Sequence, residues 1–169
     1  DAAMAVLKAQ KPLVSEYWSD YLKEMAAFKS GTSVLGTTWQ VIVNAAQAEG
    51  TKVDAVKPSE GATGWSDTWM VAKDTKSINC SYLWLNHIVS PEANAQVAEW
   101  FGEAPANKKS CALTADKDHC ATFHADAEDY WSDVYYWNTP STKCLDGRTD
   151  VKCIPYAEWS KAWSSLRNS

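Results

Sequence analysis

Five cysteines, at positions 80, 111, 120, 144 and 153, constrain this chain more than any other feature. Cys111 and Cys120 enclose eight residues, and Cys144 and Cys153 enclose another eight. Both stretches are polar and turn-rich, with neither helical nor strand periodicity, so the natural pairing is two local disulfide loops. Closing each loop removes unfolded-state entropy worth roughly 2 to 3 kcal/mol, a contribution that matters for irregular segments with little core of their own. Cys80 is left over and is expected as a buried thiol on a helix. Paired cysteines imply an oxidising compartment, periplasmic or extracellular. A zinc site built on His119, Cys120 and His124 is disfavoured because no CxxC is present and the partner ligands lack metal-site spacing. No metal or other cofactor is expected.

A chain of 169 residues is the size of one ordinary domain and can bury about two thirds of its unfolded surface. Its hydrophobic fraction of 46% and charged fraction of 22% are those of a globular protein. No apolar run approaches the roughly 18 residues that span a bilayer. The net charge of -5 comes without a basic stripe, so nucleic acid is not an expected partner and cationic or neutral ligands fit better. Ten tryptophans exceed ordinary usage several-fold. Any one of them reads first as a core residue; together they also offer flat walls for sugar rings or organic cations.

Along the chain, helices and strands alternate in an α/β pattern without internal repeats. Asp1 reads as an N-cap for a helix over Ala2 to Gln10, so the sequence opens as if inside a fold, and no export signal precedes it. A short extended piece, Leu13 to Trp18, leads to a helix from about Ser19 to Ser30, stopped by Gly31. Thr32 to Thr38 reads as a strand, with Trp39 at its carboxyl end. Gln40 to Ala48 is the next helix, closed by Gly50, and Val53 to Val56 the next strand. Pro58 to Asp67, rich in glycine, reads as a crossover or hinge. Thr68 to Lys73 alternates as a strand, and Ile78 to Val89 has one helical face. Ser90-Pro91-Glu92 opens a further helix that Gly102 closes. The remainder is irregular, with a helix-like acidic stretch from Asp126 to Tyr135. Tyr156, Trp159, Trp163 and Leu166 then form one stripe of a terminal helix.

The runs Gly31-Thr32-Ser33-Val34-Leu35-Gly36-Thr37-Thr38-Trp39, Val56-Lys57-Pro58-Ser59-Glu60-Gly61 and Trp65-Ser66-Asp67, with Ser90-Pro91-Glu92 beyond them, carry a resemblance. They resemble the carboxyl-terminal half of the spermidine/putrescine-type substrate-binding proteins of bacterial ABC transporters, over residues 1 to 110 and more loosely after that. The resemblance implies a two-lobed α/β fold of the type 2 periplasmic-binding-protein kind, lacking here the amino-terminal part of both lobes. Residues 1–63 then belong to one lobe, 64–112 to the other after the hinge crossover, and 113–169 return mainly to the first. A missing amino-terminal half or a second chain completes the lobes. Trp39 sits where the family places an aromatic wall, and Trp65 with Asp67 where it places an indole and a carboxylate that hold one amine. His124 falls near a position that is often tyrosine in the family. The implied partners are a small organic cation such as putrescine or spermidine, and a membrane permease.

The residues support the same site on their own terms. An alkylammonium loses hydration on entering a cleft, and a carboxylate with aromatic faces offsets that loss. If residues 65 to 69 are extended, alternation puts Trp65, Asp67 and Trp69 on one face. The competing structural reading is a surface aspartate beside core indoles. Glu60 could add charge, or serve as a solvated hinge residue. Trp137, ahead of Thr139-Pro140, could form a further wall. Asp126, Glu128 and Asp129 have the spacing of an exposed acidic helix rather than of a glycosidase pair. With no nucleophile elbow, phosphate loop or HExxH, an enzyme is not expected. The rival reading is a tryptophan-rich carbohydrate-binding module or sugar-type solute-binding protein, which would use the indoles without needing Asp67.

Overall fold

Helices form where the chain carries its own start and stop signals. The computed structural model describes residues 2–168, so the expected cap at Asp1 lies outside the described residues. Helix α1 spans Ala2–Gln10 and runs into a single 3-10 turn at Lys11–Leu13, where Pro12 supplies a fixed φ at no hydrogen-bonding cost. Helix α2 covers Tyr21–Ser30 and stops at Gly31, whose φ is 75°. Helix α3 is Gln40–Ala48 and α4 is Ile78–Ile88. Helix α5, Pro91–Phe101, has the expected cap: the Ser90 hydroxyl accepts from the Ala93 amide at 3.4 Å, and Gly102 ends the helix in the left-handed region.

The rest is shorter. A 3-10 segment at Lys108–Ala112 is followed by one-turn helices α6, His119–Thr122, and α7, Glu128–Trp131. The acidic stretch expected to be helical from Asp126 to Tyr135 is thus divided, because Val134–Tyr136 is strand β2. The terminal helix α8, Tyr156–Asn168, has the expected stripe, with Leu166 buried and the Trp163 ring edge-on to Tyr17 at 5.1 Å.

The strand expectations fare differently. Thr32 to Thr38, Val53 to Val56 and Thr68 to Lys73 are not strands. The only pairing among the described residues is β1, Ala62–Gly64, against β2 in parallel register, with Ala62 opposite Val134 and Gly64 opposite Tyr136. A strand exists only through its ladder partner, and β-branched composition cannot supply one. The sequence is therefore mixed helix and sheet, with less sheet than its local pattern suggests.

By contacts the chain forms two compact units, one of residues up to Lys23 with those from Trp137 onward, the other Glu24–Tyr136. In the first, α1 packs on α8 and Lys11 Nζ donates to the Leu166 carbonyl at 2.7 Å. In the second, the core is Met25 of α2, Ile42, Val43 and Ala46 of α3, Ile88 of α4, and Ala95 and Ala98 of α5. The small α5 residues let neighbouring backbone come close. Ser110 donates to the Pro91 carbonyl at 2.9 Å, and Asn94 accepts from the Asn107 amide at 2.9 Å, which seats the 3-10 segment on α5.

Both disulfides form as the spacing predicts, Cys111–Cys120 with Cα atoms 5.7 Å apart and Cys144–Cys153 at 5.3 Å. Cys80 is a correction. It is a free thiol on helix α4, but exposed rather than buried.

Candidate functional site

Trp39 ends an extended backbone run at φ -108° and ψ 148° and immediately precedes α3. Its carbonyl accepts from Ile42 and Val43, so the first turn of the helix fixes the backbone that carries the indole. Trp65 leaves the carboxyl end of β1, the edge where parallel strands present ligand-binding residues. The two rings meet with centroids 4.8 Å apart and planes tilted by 57°. Trp39 remains 48% exposed and Trp65 47%, so the pair is an aromatic wall with an open side and not buried core.

The position of Trp65 is set one turn of chain earlier. Lys57 Nζ donates to the Tyr130 carbonyl at 2.7 Å, lies 3.5 Å from an Asp133 carboxylate oxygen, and stands 4.9 Å from the centre of the Tyr130 ring. That clamp ties the approach to β1 to the approach to β2. Gly61 completes it: the φ is 89°, and a Cβ there would collide with the Asp133 carbonyl oxygen, to which the Ala62 amide donates at 3.0 Å.

Asp67 follows Trp65 by two residues, and its side chain neighbours that of Glu103. Burial pushes the Glu103 carboxyl above the usual carboxylate range, and the neighbouring Asp67 charge pushes it further. Glu103 stands where it does because Gly102 turns the chain at φ 84° and packs so tightly on α3 that a Cβ would fall 2.5 Å from Val41 Cγ2. The buried His119 ring then holds the Glu103 backbone, with Nε2 2.9 Å from the Glu103 carbonyl oxygen. A carbonyl can only accept, so Nε2 carries the proton. His119 is in turn held by the adjacent Cys120 in the first disulfide loop.

Trp39, Trp65, Asp67 and Glu103 all belong to the second compact unit. Of the residues singled out by sequence, Trp39 and Trp65 meet ring to ring, while Asp67 neighbours Glu103, which no motif or periodicity marks. Its only sequence signal is its place directly after the helix-stop Gly102.

The other candidates are placed elsewhere. Glu60 is exposed, its carboxylate accepting from Ser59 Oγ at 3.0 Å, and its own amide and that hydroxyl lower its pKa. His124 adopts φ 56° and stacks on Tyr130 at 3.8 Å, while its carbonyl accepts from Trp131 Nε1 at 2.7 Å. Trp137 lies in the first compact unit, edge-on to Tyr156 at 6.5 Å. Trp69 packs against Trp84 of α4 at 5.5 Å instead of joining the Trp39–Trp65 wall.

Among the described residues there is no cluster of three or more histidine, cysteine or acidic side chains that could hold a metal ion. A hollow of about 330 Å³ is lined by Val41, Asn44, Glu99, Trp100, His119 and Phe123, among others, and by none of Trp39, Trp65 and Asp67. None of the helices described is long and apolar enough to cross a membrane.

Over residues 1–134 the chain matches the bacterial extracellular solute-binding proteins, and it belongs to that family. Among its individual relatives it is similar to the spermidine/putrescine-binding periplasmic protein of Escherichia coli, at 28% identity over 129 residues, 76% of this chain and 36% of the relative. It is likewise similar to the protein of that name from Salmonella typhimurium, at 27% over 107 residues, 63% of this chain and 30% of the relative. The chain spans about a third of the length of these relatives.

Proposed function

We propose that this chain supplies part of both walls of the inter-lobe ligand cleft of a non-catalytic solute receptor, which takes a polyamine or similar small organic cation and presents it to an ABC permease. The observation that carries the reading is the half-exposed indole pair, Trp39 and Trp65, in contact at 4.8 Å, with Asp67 following Trp65 by two residues in the sequence. A cation over an aromatic face is worth about 0.5 to 2 kcal/mol, and a carboxylate neutralises the charge that must leave water. The names of its relatives support the choice of putrescine or spermidine over other cations, and a periplasmic or extracellular location. The two disulfides are consistent with that location.

In this reading residues 1–63 and 113–169 contribute to one lobe and 64–112 to the other, and further polypeptide, on the same or a second chain, completes both. The exposure of Leu83 on α4, at 70%, is consistent with such a neighbour. Ligand contacting both lobes at once favours the closed arrangement, a population shift without chemistry. Glu60, His124 and Trp137 enter the cleft only if closure brings them to it.

Calorimetric titration with putrescine, and in parallel with a neutral disaccharide, tests the assignment. Saturable heat is expected with the diamine, lost by at least about tenfold in affinity in Asp67→Asn, since a hydrogen bond to a charged group contributes roughly 1.5 to 3 kcal/mol. Saturation by the sugar, unaffected by Asp67→Asn, would instead establish the carbohydrate-binding alternative.

A further inference from the structure

The hollow between α3 and the end of α5 takes no part in the indole site, and its walls have a chemistry of their own. Every residue that lines it lies in the second compact unit. Val41, Asn44 and Ala45 recur at i, i+3 and i+4, so one face of α3 forms a side. The last turn of α5 brings Glu99, Trp100 and Phe101, and the first disulfide loop brings Asp116 and His119. Trp100 is 88% exposed, so its indole is open to whatever enters instead of being spent on the core. His119 is 4% exposed, tilted against Phe123 with ring centroids 4.6 Å apart, and bonded through Nε2 to the Glu103 carbonyl oxygen at 2.9 Å. That ring makes no second hydrogen bond among the described residues. With the proton on Nε2, Nδ1 is an acceptor without a donor.

The charges around the hollow have one sign. Glu99 Oε1 accepts from the Asp116 amide at 2.9 Å, and Asp116 Oδ1 accepts from the Asp118 amide at 2.9 Å, so both acids are held in place with lone pairs to spare. No lysine or arginine lines the hollow, and the adjacent Lys117 directs its Nζ to the Thr114 carbonyl at 2.6 Å. The amides of Asp116 and Ala115 hold the Glu99 carboxyl below the usual carboxylate range, which keeps it ionised at neutral pH. The volume of about 330 Å³ falls at the lower end of the range of small-molecule pockets, about 300 to 1,000 Å³. We propose that this hollow is a second binding site, for a small monoamine whose ammonium is carried on a flat apolar body. Glu99 and Asp116 counter the charge, His119 Nδ1 accepts an N–H, and Trp100 and Phe123 flank the body. An anion would meet two carboxylates with no cation on the walls, and an uncharged ring would leave those carboxylates unanswered. The site shares no lining residue with the Trp39–Trp65 wall and does not depend on the receptor reading.

The test is a titration of the isotope-labelled chain with 2-phenylethylammonium, followed by the chemical shifts of backbone amides and indole N–H groups, with 2-phenylethanol as the uncharged comparison. Saturable shifts are expected at residues 41–45, 99–102 and 116–123, and the alcohol should bind about fivefold more weakly, the worth of a favourable exposed ion pair. The indole N–H signal of Trp100, identified by its loss in Trp100→Ala, should move with the amine while those of Trp39 and Trp65 stay in place. Trp100→Ala removes an exposed ring without opening the core and should weaken the amine about two- to fivefold. Glu99→Gln keeps an acceptor for the Asp116 amide, removes the charge, and should weaken it by a similar factor. Equal binding of amine and alcohol overturns the assignment to a cation. Shifts centred on Trp39 and Trp65 put the amine in the cleft and overturn the separate site, and absence of saturable shifts overturns the site outright. The titration of the unaltered chain decides among these even where a variant fails to fold, and the receptor reading stands or falls separately with putrescine.

Discussion

Burial raises the pKa of Glu103, beside Asp67, and it does the same to Glu24, which has no acidic neighbour acting on it. Its side chain is 3% exposed in α2, neither oxygen has a hydrogen-bond partner of good geometry, and burial raises its pKa with only the Thr38 hydroxyl acting the other way. The sign follows from linkage. A carboxyl whose folded pKa exceeds its unfolded one favours folding when protonated, a contribution fully present below the ordinary glutamate range and lost as pH rises through the folded value. Glu24→Met should therefore raise stability near neutral pH by about 1 to 3 kcal/mol and flatten the fall in stability between acidic and neutral pH, as read by urea denaturation across that range. A variant with an unchanged pH profile would mean that Glu24 is solvated. The indoles carry a similar lesson: Trp39 and Trp65 are half exposed while Trp163 packs on Tyr17, so abundance of tryptophan did not distinguish wall from core.

Among the elements, α3 and α5 were legible because their boundaries are written in local chemistry, Gly50 after one and Ser90, Pro91 and Gly102 around the other. Gly102 does two jobs, since it both ends α5 and lets α3 approach before Glu103 begins. Gly102→Ala should cost roughly 2 to 4 kcal/mol, combining the left-handed backbone penalty with the displacement of Val41. Diamine affinity should fall with it because Glu103 moves. Thermal denaturation reads the first effect and calorimetry the second; a neutral substitution would show that the helix end yields freely. The segments from Thr32, Val53 and Thr68 were misread as strands for a common reason. Extended propensity is a property of a few residues, but a strand is a property of two segments, and only Ala62–Gly64 and Val134–Tyr136 find one another.

At the scale of the whole molecule, the two nine-residue cross-links act on regions with few other restraints. Reduction should destabilise the protein by roughly 2.5 kcal/mol per loop. Loss of Cys111–Cys120 should also weaken diamine binding, since it loosens His119 beneath Glu103. Thiol labelling without denaturant should modify one cysteine, Cys80, and after reduction and unfolding all five; more than one labelled at the outset would refute the pairing. What the residues settle by themselves is what neighbours along the chain can settle: helix limits through caps and stops, disulfide partners through eight-residue spacing, and the absence of a long apolar helix. Which side chains share the site was left to tertiary structure. Trp39 meets Trp65 across β1, which pairs with β2, and α3, and Asp67 comes beside Glu103 from the segment after β1 to the end of α5. Those contacts join residues 26 and 36 positions apart, beyond the reach of any local periodicity, and so the acidic partner of Asp67 became visible only once the chain was folded.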